Sequence, residues 1–308
     1  MTRPTRSAVS LAALALFLSG CATTDTAAPA SAEVAAPAPA APQGPALWKV
    51  ADADTTIYLF GTVHALPDGA EWYRGALADA LASADVLVTE VEAGKLLEPA
   101  AQQAFIAKAA LPAGQTLRAM LDADQRAVLE AALTRLDMPV SALDQVEPWF
   151  AAMTLAAIPL IKAGYKMDQG VEMAIEGKLP RTTPREALET VDGQLTLFDT
   201  MPVPMQIAYL MSVARQMDQV AARMNGMVDA WKRGDADKLA ELMNAEIDDP
   251  ALAERLLYSR NREWAKWVEA RLAKPGTVFV AVGAGHLAGQ NSVQDYLAKD
   301  GVTVSRAQ

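Results

Sequence analysis

The sequence predicts an α/β or α+β domain whose central sheet is built from both chain ends, with a large helical insertion packed on it. Two observations predict this. Short apolar, β-branched runs punctuated by Gly, Asp and Asn occur near the start and the end of the folded region. From Val91 to Thr277 the apolar residues instead recur mostly at helical spacing, with no internal repeat. Strands separated by so long a helical stretch are read as sharing one sheet that the helices cover.

The first residues read as a leader. Arg3 and Arg6 form a basic region and Ala8 to Leu18 an apolar stretch, too short to span a bilayer and followed by small residues. Residues 1–20 are therefore expected to be a signal peptide. Leu18-Ser19-Gly20-Cys21 resembles the lipobox of bacterial lipoproteins, which implies cleavage before Cys21 and lipidation of its sulfur. Ala22, in place of Asp, implies sorting to the outer membrane, so the expected location is its periplasmic face. Cys21 is also the only cysteine, so neither an internal disulfide nor a catalytic thiol is expected. Residues 21–46, dominated by Ala, Pro and Thr, read as a semi-extended tether.

The folded domain is expected over residues 47–308. Strands are predicted at 48–51, 56–63, 85–91, 277–282 and 302–305, and helices at 97–109, 123–136, 149–163, 187–198, 205–231, 236–245 and 252–272. The methionines at 201, 205, 211, 217, 224 and 227 are expected to be core packing, with a flexible apolar groove as the rarer use of such a run. The chain has 27 basic and 37 acidic residues, a formal charge of −10. That excess argues against nonspecific binding of nucleic acid or of anionic membrane surfaces.

The chain has two histidines. Each follows an apolar strand and a glycine in the same frame, Gly61-Thr62-Val63-His64 and Gly283-Ala284-Gly285-His286. Each glycine lets the backbone turn or be approached closely. A third apolar run, DVLVTEVE, carries Glu90 at its end and Glu92 on the same face. If the three strands are parallel neighbours, their carboxyl ends share the sheet edge where α/β folds place ligands. Two imidazoles and a carboxylate would leave positions open on a metal, as catalytic metal sites do. Gly283-Ala284-Gly285-His286-Leu287-Ala288 also fits a dinucleotide fingerprint, but the second strand with its acidic residue and the rest of that unit do not follow before Gln308. Neither a G-x-S-x-G elbow nor an H-E-x-x-H helix is present.

These blocks, LFGTVHALPDGAEWY with ALASADVLVTEVE and VGAGHLAGQNSVQDYLAKDGV, resemble the TraB/GumN family, which also holds the Tiki metalloproteases. EPWFAAM, GVEMAI, ALETVDGQLTLF, AWKRGD and YSRNREW agree more loosely. The resemblance implies a divalent-metal peptidase using manganese or cobalt, with zinc possible, acting on a peptide or protein. His64, Glu90 and His286 are implied as metal and catalytic residues, Glu90 either as ligand or as general base. Gly61 and Gly283 are implied as motif glycines that allow the turn, and Arg260, Asn261 and Glu189 as substrate-binding groups. Glu172 stands where many relatives have Asp, which puts a ligand role there in doubt. Two other readings stay open: an accessory lipoprotein of the cell envelope that holds a metal or haem without chemistry, and a part in polysaccharide export that rests on the family name alone.

Overall fold

The computed structural model describes residues 44–96, 98–244 and 249–308. The expected signal peptide, Cys21 and nearly all of the tether lie outside them. Among the described residues the strands are β1 (Leu47–Ala51), β2 (Thr55–Thr62), β3 (Val86–Thr89), β4 (Arg185–Ala187), β5 (Gly276–Gly283) and β6 (Val304–Arg306). They form one mixed sheet in the order β4-β3-β5-β2-β1-β6. β2, β5, β3 and β4 run parallel, and β1 is antiparallel to both β2 and β6. Both chain ends therefore build the sheet, as the sequence predicts.

The longer helices are α1 (Gly75–Ala82), α2 (Pro99–Ala109), α3 (Ala123–Arg135), α4 (Pro148–Lys162), α5 (Val171–Lys178), α6 (Val191–Asp199), α7 (Val203–Gln216), α8 (Val220–Lys232), α9 (Ala236–Asn244), α10 (Ser259–Leu272) and α11 (Val293–Lys299). Side chains alternate across a strand, and here both faces of the sheet are covered. Val278, Val280 and Val282 of β5 join Ile57, Leu59 and Val88 under Trp264 and Val268 of α10 and Leu297 of α11. Phe279 and Ala281 face the other way, with Phe60 and Leu87, onto Leu77 of α1, Val171 of α5 and Trp231 of α8. A separate core holds the helical lobe together, with Leu129 and Leu133 of α3, Ala151 and Leu155 of α4, and Leu210 and Ala214 of α7.

Three elements depart from the sequence reading. β4 has no apolar run to announce it. It pairs with β3 through Leu87↔Arg185 to Thr89↔Ala187, and Arg185 is tied to Glu176 of α5 at 3.0 Å. The expected helix from 187 starts only at Val191, where the Thr190 hydroxyl accepts the Gly193 amide. Before that, the amides of Leu188 and Glu189 donate to the carbonyls of Thr89 and Glu90, so the chain still follows β3. The expected continuous helix 205–231 breaks at a 3₁₀ turn, Met217–Gln219. Its first half packs in the lobe core and its second on the sheet, and one straight helix cannot serve both. The methionines divide in the same way: Met201, Met211 and Met217 are buried, whereas Met205, Met224 and Met227 also line a groove.

The carboxyl end of β2 is fixed by an indole. Trp231 Nε1 donates to the Gly61 carbonyl at 2.7 Å in the buried core. Trp231→Phe keeps most of the packing but strips that buried carbonyl of its donor, an expected loss of about 1–3 kcal/mol. Urea unfolding should show it as a lower midpoint with an unchanged slope.

Candidate functional site

Parallel pairing brings the three predicted strand ends together. Thr62 of β2 lies beside Gly283 of β5, and Thr89 of β3 beside Ala281, so Glu90, His64 and His286 all emerge at one edge. The glycines are there for close approach. Gly283 has φ −49° and Gly61 is not among the positive-φ residues, so neither performs a left-handed turn. A Cβ on Gly61 would stand 3.0 Å from the Ala284 Cα. A Cβ on Gly283 would sit inside the site, 3.1 Å from Glu90 Oε1, 3.6 Å from His286 Cδ2 and 3.8 Å from His64 Nε2. The space around Gly283 is thus ringed by the carboxylate and both imidazoles.

Each imidazole is held through its Nδ1. Nδ1 of His64 meets Glu172 Oε1 at 2.7 Å, and the same oxygen accepts from the Thr62 hydroxyl at 2.5 Å. Gly170, just before α5, lets this happen: a Cβ there would come 2.3 Å from the His64 carbonyl oxygen. His286 is buried, its ring 4.3 Å from that of Trp264. Nδ1 of His286 lies 2.6 Å from Asn261 Oδ1, and the Asn261 amide nitrogen donates to the Asn291 carbonyl at 2.7 Å. That bond fixes which way the amide faces, so His286 Nδ1 carries the proton and Nε2 the lone pair.

Arg260 is the hub of the buried charges. It donates from Nε and Nη2 to both oxygens of Glu189 at 2.7 and 3.0 Å, and from Nη2 to Glu90 Oε2 at 2.6 Å. Its Nη1 donates to the Leu256 carbonyl and to His286 Nε2, both at 3.0 Å. All five guanidinium N–H groups therefore have protein partners. Trp264 donates to Glu189, and its ring lies 4.7 Å from the guanidinium carbon. A π-helical turn, Glu254–Tyr258, immediately precedes α10 and sets the facing of Arg260 and Asn261.

The remaining oxygen of Glu90 accepts the Gly283 amide at 2.7 Å, and Gln194 of α6 donates to Oε2 at 2.8 Å. The site thus gathers His64, Glu90, His286, Arg260, Asn261 and Glu189 from five separate stretches of chain. Glu172, Gln194, Thr62 and Trp264 complete it. Glu172 sits in the GVEMAI block and could have been weighed as a partner for a histidine, whereas no sequence signal marks Gln194. Glu92 instead borders a neighbouring depression with Glu189 and Asp192.

Burial pushes the His286 pKa down to about 3, so its ring is neutral at neutral pH. Burial would raise Glu90, but the positive charge beside it and the Gly283 amide outweigh that and hold the carboxyl below its usual range. With His286 neutral, the counter-charge at pH 7 is Arg260. The Glu172 carboxylate on Nδ1 raises His64 to about 9. An imidazole raised on folding adds stability that is complete below its unfolded value, 6.5, and is lost as pH climbs through about 9. The His64 side chain is 67% exposed, so solvent screening leaves only part of that contribution. Unfolding free energy is expected to decline between pH 6.5 and 9, and the decline should flatten in Glu172→Gln; urea titrations across that range read it directly.

As the side chains stand, no three His, Cys, Asp or Glu residues among those described form a ready-made metal cage. The Arg260 guanidinium lies against both His286 Nε2 and Glu90 Oε2. A search of curated proteins found no match, and a search of solved structures found none either. The model of the TraB/PrgY/gumN family matches residues 46–306, from the residue before β1 to the last residue of β6. The match spans every element that places a side chain around Gly283, and the chain belongs to the TraB/PrgY/gumN family.

Proposed function

We propose that this protein is a lipid-anchored hydrolase of the cell envelope whose reaction centre surrounds Gly283, acting on peptide bonds with a divalent metal ion. One observation carries the reading: each histidine is held at Nδ1 by an oriented oxygen with Nε2 directed at a common space, where a bound cation would take the place of the His64 proton and of the Arg260 contact to His286. Imidazoles that ligate metals are oriented in this way by acceptors on the other nitrogen. The donor set of two imidazoles and a carboxylate suits manganese, cobalt or zinc, and His64, His286 and Glu90 would hold the ion. Peptide bonds are proposed on the resemblance to the Tiki metalloproteases.

A metal ion bound there would polarise a carbonyl and lower the pKa of a water. The protein's own contribution is positioning. Asn261 keeps the His286 proton on Nδ1, and Glu172 with Thr62 holds the exposed His64 ring where an incoming molecule meets it. Glu90, with Arg260 and Gln194 on Oε2 and the Gly283 amide on Oε1, is placed either to hold the ion or to take a proton from a water beside it. Arg260 neutralises part of its charge and is held in turn by Glu189.

The envelope location rests on the Leu18-Ser19-Gly20-Cys21 sequence. Among the described residues no helix is long and apolar enough to cross a membrane. Cys21→Ser should abolish incorporation of labelled acyl chains in a bacterial host and move the protein from the membrane to the soluble fraction.

The direct test is metal titration by calorimetry, with peptide-library hydrolysis, on the full-length protein. One manganese, cobalt or zinc ion per chain and metal-dependent cleavage are expected. His64→Ala and His286→Ala should each lose cleavage, and Glu172→Gln should weaken metal affinity about 10–100-fold by loosening the His64 ring. Full peptidase activity in either histidine variant would overturn the reading.

A further inference from the structure

Apart from the residues around Gly283, the helical lobe holds a second concavity. A groove of about 720 Å³ runs between α4, α7 and α8 and the chain from Asp249 to Leu256. Its size is that of a small-molecule site. Leu160, Met205, Met224, Met227 and Leu256 give it a mainly apolar wall. Methionine side chains are flexible and polarisable, which suits a surface that must adapt to a long apolar ligand.

Two cations border the groove at the α7–α8 corner. Arg223 donates to the amide oxygens of Gln216, at 2.5 Å, and Gln219, at 2.8 Å, and Gln216 is the neighbour of the exposed Arg215. Among the described residues the hydrogen-bond partners of Arg223 are therefore neutral. Nearby Asp218 is engaged by Arg135 at 2.6 Å, and Asp249, which also borders the groove, accepts the amides of Ala251 and Leu252. In a chain of formal charge −10, two guanidiniums beside an apolar groove mark a place for an anionic group.

The walls decide which kind of apolar ligand fits. α4, α7 and α8 commit their backbone groups to their own helices, so they offer no edge to an extended peptide. Each peptide amide buried there without a partner would cost about 1–3 kcal/mol, whereas an alkyl chain has no such groups. We propose that the groove binds a long-chain carboxylate, its alkyl chain along the methionine-lined walls and its carboxylate at the Arg215–Arg223 corner. The site does not depend on the hydrolase reading.

The test titrates the full-length protein with cis-parinaric acid, a fluorescent long-chain carboxylate, and then displaces it with palmitate or hexadecanol. Saturable binding at one per chain is expected, with palmitate displacing the probe about tenfold more tightly than the alcohol. The double variant Arg215→Gln/Arg223→Gln should remove that preference and leave hexadecanol binding unchanged. Ala208→Trp, at an exposed groove position, should block both ligands without shifting the thermal midpoint. Equal affinity for acid and alcohol, unaltered binding in Ala208→Trp, or better displacement by an apolar peptide than by palmitate would each overturn the proposal.

Discussion

The parallel pairing of β5 between β2 and β3 is the constraint on which the rest of this structure depends. Its register sets Thr62 against Gly283 and Thr89 against Ala281, so residues just beyond three strand ends meet at one edge. A slip of one residue would turn every side chain of a strand to the opposite face. Here the two faces carry different partners, α10 and α11 on one side and α1, α5 and α8 on the other. The same packing that buries the sheet therefore fixes where His64, Glu90 and His286 stand.

The buried polar cluster depends on completeness. Glu90, Glu189, Arg260, His286 and Asn261 are buried or mostly buried, and their polar atoms satisfy one another with the help of Trp264, Gln194 and the Gly283 amide. Removing one member of such a group leaves another charge buried without compensation, which is far costlier than the modest net gain of forming the pair. His64 stands apart from this economy. It is exposed, anchored on one side by Glu172, and its Nε2 faces the same space as the buried cluster. The site thus pairs a rigid inner half with an accessible outer residue.

The helical insertion contributes to the sheet edge at several points along its length. α5 brings Glu172 to His64, α6 brings Gln194 to Glu90, α8 brings Trp231 to Gly61, and α10 brings Arg260 and Asn261 to His286. The break between α7 and α8 lets one amphipathic run pack first in the lobe and then on the sheet. That bend also forms the corner where Arg215 and Arg223 border the apolar groove.

The sequence by itself determined the sheet from both chain ends, the strand-end histidines and glutamate, and the family blocks. These are local signals: apolar runs of strand length, glycines next to histidines, and residues adjacent in sequence. Only the tertiary structure decided what those residues touch. β4 was illegible because Arg185-Glu186-Ala187 has no apolar pattern and is a strand only by pairing with β3. Glu189 was read as the start of a helix, yet backbone bonds to Thr89 and Glu90 carry it along the sheet until Thr190 caps α6. The roles of Glu172 and Gln194 were hidden for the same reason. Their partners lie 108 and 104 positions away, at His64 and Glu90, and such contacts exist only once the strands have paired and the insertion has folded back onto them.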